Sequence, residues 1–101
     1  MSLLERISQD LKAALKSGAT LKVGALRFVL AQIHNQEIAS RSRGRTEILT
    51  DAEVQEVIRR EVKKRKEAID LFRANNRQDL LDKEEAELKV ISGYLPAMMS
   101  E

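Results

Sequence analysis

The sequence predicts an all-α protein, a compact assembly of four helices built as one domain. Three observations carry that prediction. Apolar residues recur at steps of three, four and seven over four separate stretches. Each stretch is bounded by residues that cap or break helices. No segment alternates apolar and polar residues as a half-buried strand would. The 101 residues suffice for one core and are too few for two. Phe28, Phe72 and Tyr94 are the only aromatics, so Leu, Ile, Val and Ala must fill that core, which suits packed helices.

The first helix is expected over Ser2–Ser17. Ser2 is its N-cap, with Glu5 three residues on to complete a capping box. Leu4, Ile7, Leu11, Ala14 and Leu15 line one side, and Gly18 supplies the stop. The second runs from Thr20 to about Ser40 with Val23, Leu26, Val29, Leu30 and Ile33 on its stripe. Gly24 inside it costs about 1 kcal/mol relative to Ala, a cost tolerated where another helix passes close by. Residues 40–49, SRSRGRTEIL, read as a loop. The third and longest helix is expected over Thr50–Asn75. Thr50 and Glu53 form a second capping box, and Asp51 adds negative charge where the helix dipole favours it. Val54, Ile58, Val62, Ile69 and Phe72 make its apolar face. Asn75 and Asn76 break the pattern, and a fourth helix follows over Gln78–Gly93, with Leu80, Leu81, Leu88 and Ile91 facing in. Gly93 and Pro96 end it. Short connections favour antiparallel packing of successive helices.

Charges intrude on three of these faces. At about 100° per residue, Glu61 and Arg65 fall between Val54, Ile58 and Phe72. Glu37 falls among Leu26, Leu30 and Ile33, with Arg27 at the edge, and Glu84 falls within the fourth stripe. Isolated buried charges are very costly, so such groups are expected to be paired. The expectation is an interhelical network in which Arg65, joined by Arg27, bridges Glu37, Glu61 and Glu84; a planar guanidinium can engage two carboxylates at once. A network of this kind can fix helix register. Its alternatives are a functional pocket in which carboxylates exchange a proton and a two-metal site. The metal version needs Glu-x-x-His motifs, but the only histidine, His34, has Ala31 three positions before it. Neither a metal nor a cofactor is therefore expected. The four glycines are too scattered for a phosphate-cradling loop, and no hydroxyl residue has a His–acid partner at a suggestive spacing.

Without cysteine the chain can form neither disulfides nor thiolate metal sites. No secretory signal and no membrane-length apolar run is visible, and a cytoplasmic location is expected, with an organelle matrix left open. Charge is uneven. Residues 1–45 hold eight Lys/Arg against three Asp/Glu, and residues 46–101 hold ten against thirteen. Arg59, Lys63 and Lys66 form an outward row on the third helix, and Arg41, Arg43 and Arg45 lie in the preceding loop. These six are the candidate RNA contacts, through phosphate charge and without reading sequence. Glu56, Glu67 and Asp70 lie at ion-pair spacing on the same side, so an ordinary solvated face is the alternative. The scarcity of aromatics argues against a base-stacking platform, and no DNA sequence recognition is expected. Tyr94, Leu95, Met98 and Met99 make an apolar end suited to contact with another protein.

Three runs resemble the YqeY family: LRFVLAQIHNQEI (Leu26–Ile38), LTDAEVQEVIRREVKKRKEAIDLF (Leu49–Phe72) and KEEAELKVISGYLP (Lys83–Pro96). Glu61, Arg65 and Glu67 in the spacing E-x-x-x-R-x-E, with the terminal YLP, are the most specific part. That family is related to the C-terminal region of the B subunit of tRNA-dependent amidotransferases. The resemblance implies an all-helical protein of two helical subdomains. Residues 1–96 would be the first, and residues 97–101 the start of a tail cut short. It also implies kinship with machinery that amidates Glu or Asp on tRNA with glutamine as nitrogen donor, where the related region helps hold tRNA and the chemistry resides elsewhere. The function expected is a non-catalytic accessory module for tRNA or an amidotransferase-like assembly. The alternatives are a protein-binding module with no nucleic-acid role and an enzyme using the Glu/Arg pocket.

Overall fold

Caps and breakers position the four helices. The computed structural model describes residues 1–45 and 48–96. They form α1 (Leu3–Ser17), α2 (Thr20–Ser42), α3 (Asp51–Ala74) and α4 (Gln78–Ser92), with no strand among the described residues. Residues 97–101, including Met98 and Met99, lie outside the described residues, as do Thr46 and Glu47. Both capping boxes are closed. The Ser2 hydroxyl accepts from the Glu5 amide at 3.1 Å and the Glu5 carboxylate accepts from the Ser2 amide at 2.9 Å. Thr50 and Glu53 repeat the pair at 3.2 and 2.8 Å. Each such cap is worth about 1 kcal/mol. Gly18 ends α1 with φ +72°, and Asn76 makes the turn after α3 at φ +56°, a conformation asparagine tolerates better than most residues.

Two details differ from the sequence expectation. Helix α2 continues through Ser42, so Arg41 belongs to its last turn and not to a loop. The residue that ends it is Gly44, whose φ of +91° lets the chain turn while the Arg43 and Arg45 amides both bond the Ser40 carbonyl. On α1, Leu15 is 49% exposed and Leu3 is buried instead. Leu3 lies one turn before Ile7, and its amide donates to Asp51 Oδ1 at 3.0 Å, tying the starts of α1 and α3 together.

Ile7, Leu26, Val29, Ile33, Val54, Ile58 and Ile91 are fully buried and form the centre of the core. Burying each such side chain contributes roughly 1.5–3 kcal/mol. Helix α1 packs on α2, α3 on α4, and α2 also reaches α4, whereas α2 and α3 touch along a shorter line. A groove opens between α2 and α3 as a result. Of the apolar residues expected to be free near the C-terminus, the two described ones are covered. Tyr94 is buried and Leu95 packs against the core. The Tyr94 hydroxyl donates to Asp10 Oδ2 at 2.5 Å, and the Arg6 guanidinium sits 4.9 Å from the ring centroid. Burial, then the Asp10 bond, push the Tyr94 phenol well above its ordinary value. Among the described residues no helix is long and apolar enough to cross a membrane.

Candidate functional site

The charges on the core face of α3 converge on one guanidinium. Arg65 and Glu61 occupy successive turns of α3, so Arg65 Nε donates to Glu61 Oε2 at 3.0 Å. From α4, Glu84 and Glu87 also point at Arg65, three residues apart on one face. Arg65 Nη1 donates to Glu84 Oε1 at 3.0 Å and to Glu87 Oε1 at 2.7 Å. Arg65, Glu61 and Glu87 are all buried, while the Glu84 side chain keeps 26% of its surface open. Burial by itself would lower the Arg65 pKa. The bond to Glu87 and the nearby charges of Glu84, Glu87 and Glu61 outweigh it and hold the guanidinium above its ordinary value. Arg65 also lies 5.1 Å from the ring centroid of Phe28 on α2, a cation–π distance. One side chain therefore joins three helices.

The network differs in membership from the expected one. Glu37 does not reach Arg65; it is half-buried and sits 3.6 Å from His34 Nδ1, one turn back on α2. Arg27 is exposed on α2 and takes no part in the cluster. Glu37 lies more than two turns of α2 beyond Phe28, the α2 residue that faces Arg65. Glu87 takes the place given to Glu37. Its signal was in the sequence, since it precedes Ile91 by one turn and follows Glu84 by three residues, but an acid at the margin of a stripe reads as a solvated one. At Gly24 α2 passes near the Glu87 head: a Cβ there would stand an ordinary 3.8 Å from Glu87 Oε2.

The cluster forms one wall of an open cleft of about 500 Å³ lined by Gly24, Phe28, Lys64, Ala68 and Lys83 together with the Arg65 group. A smaller cavity of about 150 Å³ adjoins it along the α2–α3 groove, sharing Glu61 and Lys64 and adding Gln32, Asn35, Gln36 and Arg60. The guanidinium stands where the three carboxylates meet, so a cation brought to that point would be repelled by Arg65. The acids are committed to Arg65. The side chains that face outward with charge to offer are Lys64 and Lys83, neither in an ion pair among the described residues, and Arg60, 3.7 Å from Glu56.

The basic residues singled out from sequence do not share this groove. Arg59 is held by Glu56 at 2.5 Å, and Lys63 and Lys66 are exposed elsewhere on α3. Arg41 and Arg43 are exposed at the end of α2. Arg45 bonds Glu53 through both terminal nitrogens and the Ile48 carbonyl at 3.1 Å, so it closes the α2–α3 connection onto the α3 cap. That bond from Arg45, then the Thr50 amide, bring the Glu53 carboxyl down to about 2.

The structure is that of an all-α domain whose long third helix is clamped to the fourth by an arginine among three glutamates. The chain belongs to the YqeY family: the family model described as Yqey-like protein matches residues 4–101. It is 35% identical over 95 residues to altered inheritance of mitochondria protein 41 of Eremothecium gossypii, covering 94% of this chain and 50% of that protein. Against the protein of the same name in Kluyveromyces lactis it is 33% identical over 92 residues, 91% of this chain and 48% of the relative. An uncharacterized protein of Schizosaccharomyces pombe is 33% identical over 90 residues, 89% of this chain and 69% of that protein. The chain spans about half the length of the first two. These two are named as mitochondrial proteins, which overturns the cytoplasmic expectation. That expectation rested on missing cysteines and a missing secretory signal, and neither distinguishes one reducing compartment from another.

Proposed function

We propose that this chain is a non-catalytic YqeY-family binding module that engages tRNA, on its own or within an amidotransferase-like assembly, in the mitochondrial setting of its relatives. The observation that carries the reading is the division of charge at the cleft. Three carboxylates are engaged by Arg65, while Lys64 and Lys83 point outward without a partner among the described residues. Groups already bonded to one another are poorly placed for acid–base work, which needs a carboxyl free to gain and lose a proton. Unpaired cations on a rim are suited to phosphate. The kinship with the tRNA-holding region of amidotransferases supports the same reading.

The test is binding of labelled tRNA across a salt series. Two or three phosphate contacts predict a slope of log Kobs on log salt of about −1.4 to −2.7. The double variant Lys64→Glu, Lys83→Glu should weaken binding at least tenfold at low salt and flatten that slope. No measurable binding at about 50 mM salt, where such contacts are strongest, would defeat the proposal.

A further inference from the structure

We infer that the α2–α3 groove takes a single unpaired nucleic-acid strand, with one base laid against Phe28. This deepens the tRNA reading and rests on it. The chemistry of the groove is divided along its length. At one end Phe28 keeps 42% of its surface open while Arg65 stands over its ring. At the other end Gln32 and Gln36 follow at successive turns of α2, with Asn35 beside them. None of these three amides makes a side-chain hydrogen bond among the described residues. Lys64 lines both cavities, so it stands between the aromatic and the amides, with Arg60 and Lys83 on either side of it.

Each part matches one part of a nucleotide. An aromatic face accepts any base by stacking. Amides offer both donor and acceptor to base edges, which are open only where a base is unpaired. A lysine between them meets the phosphate that joins two nucleosides. Packed helices stand about 8–10 Å apart, so the groove between them admits one strand and excludes a duplex. The 500 Å³ cleft is of the size that holds a small ligand, enough for one nucleotide unit. An acidic peptide would be drawn to the same lysines but would leave Phe28 and the amides without a role.

The experiment exploits the absence of tryptophan from the chain. In Phe28→Trp the single indole reports directly on stacking. A labelled single-stranded RNA of about ten nucleotides, the same RNA in duplex form and poly-glutamate of equal length are titrated against the variant, the parent chain and Phe28→Ala. The expected result is saturable quenching by the single strand, tighter binding of strand than duplex, and a loss of roughly five- to hundredfold in Phe28→Ala. Circular dichroism establishes that the exposed substitution leaves the fold intact. Binding seen by anisotropy with unchanged indole emission overturns the groove and leaves the tRNA reading standing, whereas binding abolished by Lys63→Glu, Lys66→Glu instead of Lys64→Glu overturns the groove and the Lys64–Lys83 site together. Equal binding of poly-glutamate overturns it in favour of a peptide partner. No binding of any RNA removes both.

Discussion

Truncating Arg65 to alanine should be among the most damaging changes outside the aliphatic core. Removing one member of a buried charge pair costs about 3–5 kcal/mol, because the remaining charge is left without a counter-ion. Here the loss strands Glu61 and Glu87, which are only 6% and 8% exposed; Glu84 is open enough to turn toward water. A domain of this size has about 5–15 kcal/mol in total, so the variant loses a large share of it. The midpoint of thermal unfolding should fall by roughly 12–40 °C, at 4–8 °C per kcal/mol. Urea denaturation followed at 222 nm should read this loss directly, and a cost below about 1 kcal/mol would refute the reasoning.

The remaining predictions concern single contacts. The Glu53 carboxyl, held near 2 by Arg45 and the Thr50 amide, contributes stability that is complete above the ordinary carboxyl value and is lost as pH falls toward 2. Carboxyl-carbon NMR titration should show this, and Arg45→Gln should move the Glu53 midpoint upward. Tyr94 is the only tyrosine, so absorbance at 295 nm reports it alone. Its raised folded pKa means its contribution is intact below the unfolded value and is lost as pH rises through the alkaline range; the phenol should ionise only on unfolding. Gly24→Ala should raise stability by up to about 1 kcal/mol, because the added Cβ meets Glu87 at an ordinary 3.8 Å; a lower unfolding midpoint would contradict that packing.

How far the sequence discloses this molecule depends on how local each feature is. Both capping boxes, Gly18 and Asn76 act within a few residues, and the structure has them where the pattern puts them. The burial of Glu61 and Arg65 follows from the 3.6-residue period alone. What period cannot give is which acid on another helix meets Arg65. Glu37 and Glu84 look alike on their own stripes, but Glu37 lies more than two turns of α2 beyond Phe28, the residue that faces Arg65, and the third acid comes instead from α4 as Glu87. Arg45 was misjudged as an open cation because its partner, Glu53, is across a turn whose shape Gly44 sets. The groove was invisible for a similar reason: Phe28 and Gln32 belong to α2 and Lys64 to α3, and only the spacing of the two helices makes them neighbours.

A double-mutant cycle on Arg65 and Glu87 reads the α3–α4 clamp itself, apart from the damage each truncation does alone. Stabilities are measured for the parent, Arg65→Met, Glu87→Gln and the two combined. For charge-assisted partners at 2.7 Å in a buried setting, the coupling should be at least about 1 kcal/mol, and the double variant should be more stable than Arg65→Met alone. Additive losses would mean that the two side chains do not hold the helices through each other, and the clamp would have to be abandoned.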